Sequence, residues 1–138
     1  MTTRRTVLAA LTGLIAAACS PAATKTPGAL PPNGAELGVA AFAGALQLPG
    51  VVVLDVRTPQ EYADGHLERA SNIDVSAADF SARIAKLDPA VPYAVYCRSG
   101  NRSATALGIM RKAGFTSTFH LGGGIGAWTA AGRSVVKG

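Results

Sequence analysis

The chain is predicted to fold as one α/β domain, a central and mainly parallel sheet with helices on both faces. Three observations predict it. Apolar strand-like runs alternate with helix-patterned segments from residue 35 onward. Val51-Val52-Val53-Leu54 is a continuous, largely β-branched run, as expected of a parallel strand buried on both faces. Helix-opening signals follow the strands within a few residues, as in βα units. At 138 residues the chain suits a single domain, and 49% apolar with 15% charged residues excludes a disordered protein.

Residues 1–18 read as an export signal of the lipoprotein type. Arg4 and Arg5 form a basic start, and the apolar run 7–18 is too short to span a bilayer. Ala16-Ala17-Ala18-Cys19 resembles a lipoprotein cleavage site, with Cys19 as the lipidated first residue of the mature chain. The expected location is the cell envelope, on its periplasmic or extracytoplasmic side, with the membrane as a partner through the anchor. Residues 19–34 form a linker with Pro21, Pro27, Pro31 and Pro32 and no apolar periodicity. Fully extended, it reaches about 50 Å. The domain is assigned to 35–138. The net charge is +5, but the basic residues are scattered, which excludes a nucleic-acid surface.

Within the domain, residues 35–48 pattern as a helix with Val39, Phe42 and Leu46 on one side, ended by Pro49-Gly50. The strand 51–54 follows. Thr58-Pro59-Gln60-Glu61 has the form of a capping box with proline at the first helical position, and Gly65 closes that helix. Residues 72–75 read as a short strand. Ser76 to Asp79 repeats the capping pattern before Phe80, Ile84 and Leu87, and Asp88-Pro89 stops the helix. Residues 91–96 form the next strand, with Pro92 at its start, where no ladder donor is needed. A helix carrying Leu107 and Met110 runs to Arg111-Lys112, with Gly114 as its cap. Residues 115–121 alternate and read as a strand. Gly122-Gly123-Gly124 turns into a last helix over 125–131, with Trp128 in the core.

The chemistry concentrates at Cys97-Arg98-Ser99-Gly100-Asn101-Arg102-Ser103, between a strand end and a helix start. In open parallel sheets ligands bind at the carboxyl ends of strands, where both Asp55 and Cys97 fall. The helix N-terminus offers unpaired N–H groups and the positive end of its dipole, and Arg98 and Arg102 add charge. Together these are expected to lower the thiol pKa from its ordinary value of about 8.5. With Cys19 carrying lipid, Cys97 has no internal partner, and a lone thiol in an oxidising compartment reads as reactive.

Four blocks resemble the rhodanese family of single-domain sulfurtransferases. They are Leu54-Asp55-Val56-Arg57 through Tyr62; Gly65-His66-Leu67 with Ala70-Ser71-Asn72-Ile73; the Cys97 loop from Tyr96 to Ser103; and Leu121-Gly122-Gly123 with Ala127-Trp128. The likeness runs from about residue 39 to 133. Arg69 and Asp74 depart from it, standing where the family usually has Gly and Pro, which bears on the turn they occupy. The resemblance implies a rhodanese-like fold and covalent catalysis through a Cys97 persulfide. The donor would be a small anionic sulfur compound such as thiosulfate, and the acceptor cyanide or a thiol. The backbone from Arg98 to Ser103, through Ser99, Gly100, Asn101 and Arg102, would bind the anion. No metal or organic cofactor is implied.

Asp55 and Arg57 read as supporting residues, joined as an ion pair beside the loop. His66 reads as structural. His120 lies in a strand with nothing nearby in sequence to make it a ligand. Two rival functions remain. A cysteine phosphatase or arsenate reductase also uses a Cys-to-Arg loop at a helix start, but only four residues separate Cys97 from Arg102, one fewer than the Cys-x5-Arg pattern. A lipid-anchored carrier, delivering sulfur to an accepting protein or sensing redox state through Cys97, would use the same loop with little turnover.

Overall fold

A computed structural model describes residues 28–138. The export signal, Cys19 and the linker up to residue 27 lie outside the described residues. Five strands and five helices alternate: β1 (Ala35–Leu37), α1 (Val39–Ala45), β2 (Val52–Asp55), α2 (Pro59–Asp64), β3 (Ser71–Asn72), α3 (Phe80–Ile84), β4 (Tyr93–Tyr96), α4 (Asn101–Lys112), β5 (Thr118–Leu121) and α5 (Gly124–Ala130). The sheet order is β1-β5-β4-β2-β3, and every pairing is parallel. No helix among the described residues is long and apolar enough to cross a membrane.

Strand alternation splits the interior into two cores. On one face Leu54, Val56, Val95 and Cys97 pack beneath α3 and α4 through Phe80, Ile84, Ala106, Leu107 and Met110. On the other, Val53, Ala94, Tyr96, Phe119 and Leu121 meet Phe42 of α1, Leu67 and Trp128 of α5. Phe42 contacts both Phe119 and Trp128 edge-on. A sheet covered on both faces explains why β4 and β5 are buried at every position.

Two expectations are corrected. Residues 35–48 are not one helix: Ala35, Glu36 and Leu37 pair with Phe119, His120 and Leu121 as β1, and the helix starts only at Val39. Three residues are too short to show a strand period, and it is the open edge of β5 that makes them one. The expected Ser76 cap also fails. Asp74 Oδ1 instead accepts hydrogen bonds from the Ser76 N–H at 2.8 Å and Ser76 Oγ at 2.6 Å, and α3 begins at Phe80 with no side-chain cap. The strand expected over 72–75 shares only Asn72 with β3, and the one expected over 115–121 shortens to β5.

The box at Thr58 forms as read. Thr58 Oγ1 accepts from the Glu61 N–H, and Glu61 Oε2 accepts from the Thr58 N–H at 3.1 Å. Arg69, in the turn before β3, holds φ 65° and is the one non-glycine residue with positive φ among those described. Two residues of the expected linker are fixed to the sheet. Asn33 donates to the Phe115 carbonyl, while its Oδ1 accepts from the N–H and Oγ1 of Thr118. The Gly34 N–H donates to the Thr118 carbonyl at 2.6 Å.

Candidate active site

The carboxyl end of β4 delivers Cys97 to the turn that starts α4. Tyr96 is the last strand residue and Asn101 the first of the helix, so four residues, Cys97 followed by Arg98, Ser99 and Gly100, connect them. Gly100 holds φ 103° and donates its N–H to Cys97 Sγ at 3.1 Å. A side chain there would be strained by that φ, and its Cβ would also crowd the Gly123 nitrogen at 3.2 Å. From the first turn of α4, Ser103 Oγ sits 3.6 Å from Sγ and 3.0 Å from the Gly100 carbonyl. The start of α5 clamps the loop from outside: the Ile125 N–H donates to the Cys97 carbonyl at 2.8 Å and the Gly126 N–H to the Arg98 carbonyl at 3.1 Å.

The thiol pKa is lowered by this geometry. Burial pushes it up, but hydrogen bonds from the Ser103 side chain and from the backbone of Ser103, Gly100 and Ser99 outweigh burial. The expected arginine charge is present but is a smaller cause than these hydrogen bonds: Arg102 and Cys97 act on each other through charge. Arg102 does not bond to the sulfur; it grips Glu61 through two contacts of 2.8 Å. That grip, with the bonds from Thr58, holds the Glu61 carboxyl down at about 2. Arg98 is exposed, and its side chain makes no hydrogen bond or ion pair among the described residues. Ser99 and Asn101 are exposed, and Gly100 and Ser103 are buried.

Asp55 and Arg57 are brought together as expected. Arg57 Nε lies 3.0 Å from both carboxylate oxygens of Asp55, and its Nη2 lies 2.6 Å from Oδ2 and 2.6 Å from the Gly65 carbonyl. Tyr96 Oη donates to Asp55 Oδ2 at 2.6 Å and accepts from the Leu67 N–H at 3.0 Å. Burial, then the Asp55 charge, raises the Tyr96 pKa, so the phenol stays a donor. This buried knot ties β2, β4 and the turn after α2 into one support beneath the loop. His66 is structural, with Nδ1 2.9 Å from the Tyr62 carbonyl and its ring stacked on Tyr62.

An open cleft of about 350 Å³ lies beside the loop, walled by Arg57, Glu61, Arg98, Ile125, Gly126 and Thr129 among others. Cys97 is 0% exposed and does not line it. Among the described residues no group of three or more His, Cys, Asp or Glu side chains could hold a metal ion.

The rhodanese-like domain profile matches residues 39–131. The chain belongs to the rhodanese-like family. Thiosulfate sulfurtransferase GlpE of Pseudomonas entomophila is 41% identical over 85 residues, covering 61% of this chain and 75% of that protein. The probable adenylyltransferase/sulfurtransferase MoeZ of Mycobacterium tuberculosis is 40% identical over 78 residues, 56% of this chain. The chain spans only 20% of MoeZ. The crystal structure of a rhodanese-related protein from Thermoplasma volcanium matches with a TM-score of 0.66 at 30% identity, covering 74% of this chain and 97% of that one. The Cys97 loop of this rhodanese-like domain stands inside the matched region.

Sequence reasoning missed two neighbours of the site. His120 Nδ1 lies 2.9 Å from Ser103 Oγ, and Glu36 Oε2 lies 3.5 Å from His120 Nε2. Both sit on strands that pair only in the folded sheet, so no local pattern announced them. The one available signal was a histidine at a buried strand position.

Proposed function

We propose that this rhodanese-like protein is a sulfurtransferase that carries sulfane sulfur on Cys97. The observation that carries the reading is the seat of Sγ, 3.1 Å from the Gly100 N–H and 3.6 Å from Ser103 Oγ at the start of α4. Those donors favour a thiolate and, one atom further out, a persulfide anion. The relatives named as sulfurtransferases support the same class. In the first step the thiolate attacks the outer sulfur of thiosulfate. The new Sγ–S bond forms as the old S–S bond breaks, and sulfite leaves with the electron pair. In the second step cyanide or a thiolate attacks the outer sulfur, and Cys97 departs as thiolate.

Arg98, a cation with no side-chain partner among the described residues, lines the cleft and suits an anionic donor. Because Cys97 is covered, attack requires a local opening of the Arg98–Gly100 turn, whose two leading residues are exposed. The phosphatase reading is disfavoured by Arg102. The guanidinium that would have to grip a phosphate is held by Glu61.

The test is the intact mass of the protein after incubation with thiosulfate. A gain of one sulfur atom on the Cys97 peptide, reversed by cyanide and absent in Cys97→Ser, is expected. Repeated turnover with thiosulfate and cyanide distinguishes an enzyme from a carrier that loads once. Loading that survives Cys97→Ser would end the proposal.

A further inference from the structure

Cys97 and Ser103 are both 0% exposed, so a proton leaving the thiol in this conformation must pass to protein groups. A path of polar atoms leads away from the sulfur. Sγ lies 3.6 Å from Ser103 Oγ, Oγ 2.9 Å from His120 Nδ1, and His120 Nε2 3.5 Å from Glu36 Oε2. The path is dry at one end and wet at the other: His120 is 4% exposed, and the Glu36 side chain 70%. None of Ser103, His120 and Glu36 lines the cleft that holds Arg98, so the path leaves the site on a different side.

The fold supports this path at two points. The β1–β5 register sets Glu36 directly opposite His120. Gly122 then gives the carboxylate room to lie across β5, since a Cβ there would meet Glu36 Cγ at 2.9 Å.

We propose that Ser103, His120 and Glu36 form a proton relay that moves the Cys97 thiol proton to the imidazole ring and leaves the thiolate for attack. Its purpose rests on the persulfide reading above; its geometry does not. Before transfer the S–H donates to Ser103 Oγ, the Ser103 O–H swings from the Gly100 carbonyl, 3.0 Å away, to Nδ1, and Nε2–H faces Glu36. In the transfer the S–H bond breaks as a new Oγ–H bond forms, and the old Oγ–H bond breaks as Nδ1–H forms. The products are a thiolate and an imidazolium, with no proton or electron gained or lost overall. Ser103 ends as a donor toward the sulfur, so the step that creates the anion also orients a hydroxyl to stabilise it. The Glu36 carboxylate then faces the positive ring.

The surroundings of the ring suit this role. Burial lowers the His120 pKa and favours the neutral ring at rest, while Glu36 opposes burial and favours the ring once it is protonated. Glu36 from β1 and Cys97, reached through Ser103 of α4, are the titratable groups on it. Val95, its partner on β4, brings no charge. His120 and Glu36 do not touch the reacting sulfur, so they are positioning residues that act through Ser103.

The test is the pH dependence of Cys97 alkylation by iodoacetamide in the full chain, read on the Cys97 peptide by mass spectrometry. The midpoint reports the thiol titration, and unlike the absolute rate it does not depend on how often the loop opens. His120→Asn keeps an amide near Nδ1 but cannot hold the proton; the midpoint is expected to rise by about one pH unit, about tenfold slower alkylation at neutral pH. Glu36→Gln removes a largely solvated partner, so the expected slowing is about threefold. Gly122→Ala, which displaces Glu36, should match Glu36→Gln. In the reciprocal experiment, the NMR titration of the His120 ring should shift in Cys97→Ser.

Midpoints that superimpose on the wild type in both His120→Asn and Glu36→Gln would overturn the relay. So would a His120 titration indifferent to Cys97. Should His120→Asn fail to fold, the surface variant Glu36→Gln and the reciprocal titration decide. No sulfur donor enters these measurements, so loss of the sulfurtransferase reading and loss of the relay are separate results.

Discussion

Gly124 is where the active-site loop is most exposed to a single methyl group. It begins α5 with φ 59°, and a Cβ there would be driven into the carbonyl of Cys97 and the backbone of Arg98, closer than any ordinary contact. The obstacle is main chain on both sides, so Gly124→Ala must push α5 away from the loop. The clamps from Ile125 to Cys97 and from Gly126 to Arg98 would then break. Each hydrogen bond contributes about 1 kcal/mol net. Holding alanine in the left-handed region adds about 1 kcal/mol. The expected loss is therefore about 3 kcal/mol, a large share of the 5 to 15 kcal/mol, roughly, of a typical domain. Urea unfolding followed by Trp128 fluorescence measures it. Gly108→Ala is the control. Gly108 lies inside α4, and an added methyl group would meet nothing within 4 Å, so alanine there should stabilise by about 0.5 to 1 kcal/mol. A loss below about 1 kcal/mol in Gly124→Ala would refute the claim that α5 clamps the loop.

Two further outcomes follow from the same geometry. The Glu61 carboxyl is held at about 2 against an ordinary 4.5, first by Arg102. A depressed carboxyl pKa contributes stability that is complete above its unfolded value and lost as pH falls through the folded one. Between about pH 5 and pH 2 the wild type should therefore lose about 1 to 2 kcal/mol more than Glu61→Gln, after allowing for solvent screening of a partly exposed pair. Parallel acid curves for the two proteins would exclude this pair as a contributor. Arg69→Gly relieves a left-handed residue and should raise stability by about 1 kcal/mol, checked by the same urea titration; a neutral or negative change would mean the Arg69 side chain compensates for its backbone.

What could be read from the sequence was whatever neighbours in the chain decide. The Thr58–Glu61 box, the turn at Cys97 and the continuous apolar β2 run are short-range features, and each forms as expected. The Asp55–Arg57 pair is two residues apart and was legible for the same reason. Apart from the Ser76 cap, which gave way to Asp74 two residues before it, the failures share the opposite cause. β1 is a strand because β5 offers it an edge more than eighty residues later in the chain. Arg102 stands in the loop beside Cys97, yet its partner is Glu61, 41 residues earlier. Glu36 and His120 meet only through that same distant β1–β5 pairing. The thiol is activated as the loop sequence suggested, but by backbone donors and a hydroxyl, which a residue-type pattern does not display.

The Asn33 hydrogen bonds give β1 a mechanical property. Asn33 grips Phe115 and Thr118 just ahead of the strand that carries Glu36. A pull on the chain before residue 33 meets this knot first, and the load passes into the middle of the sheet through β5 rather than along β1. The clamp thus acts as strain relief, like the collar on a cable where it enters an instrument. Whatever the preceding segment is attached to, its tugging is damped before it reaches the carboxylate just past the knot.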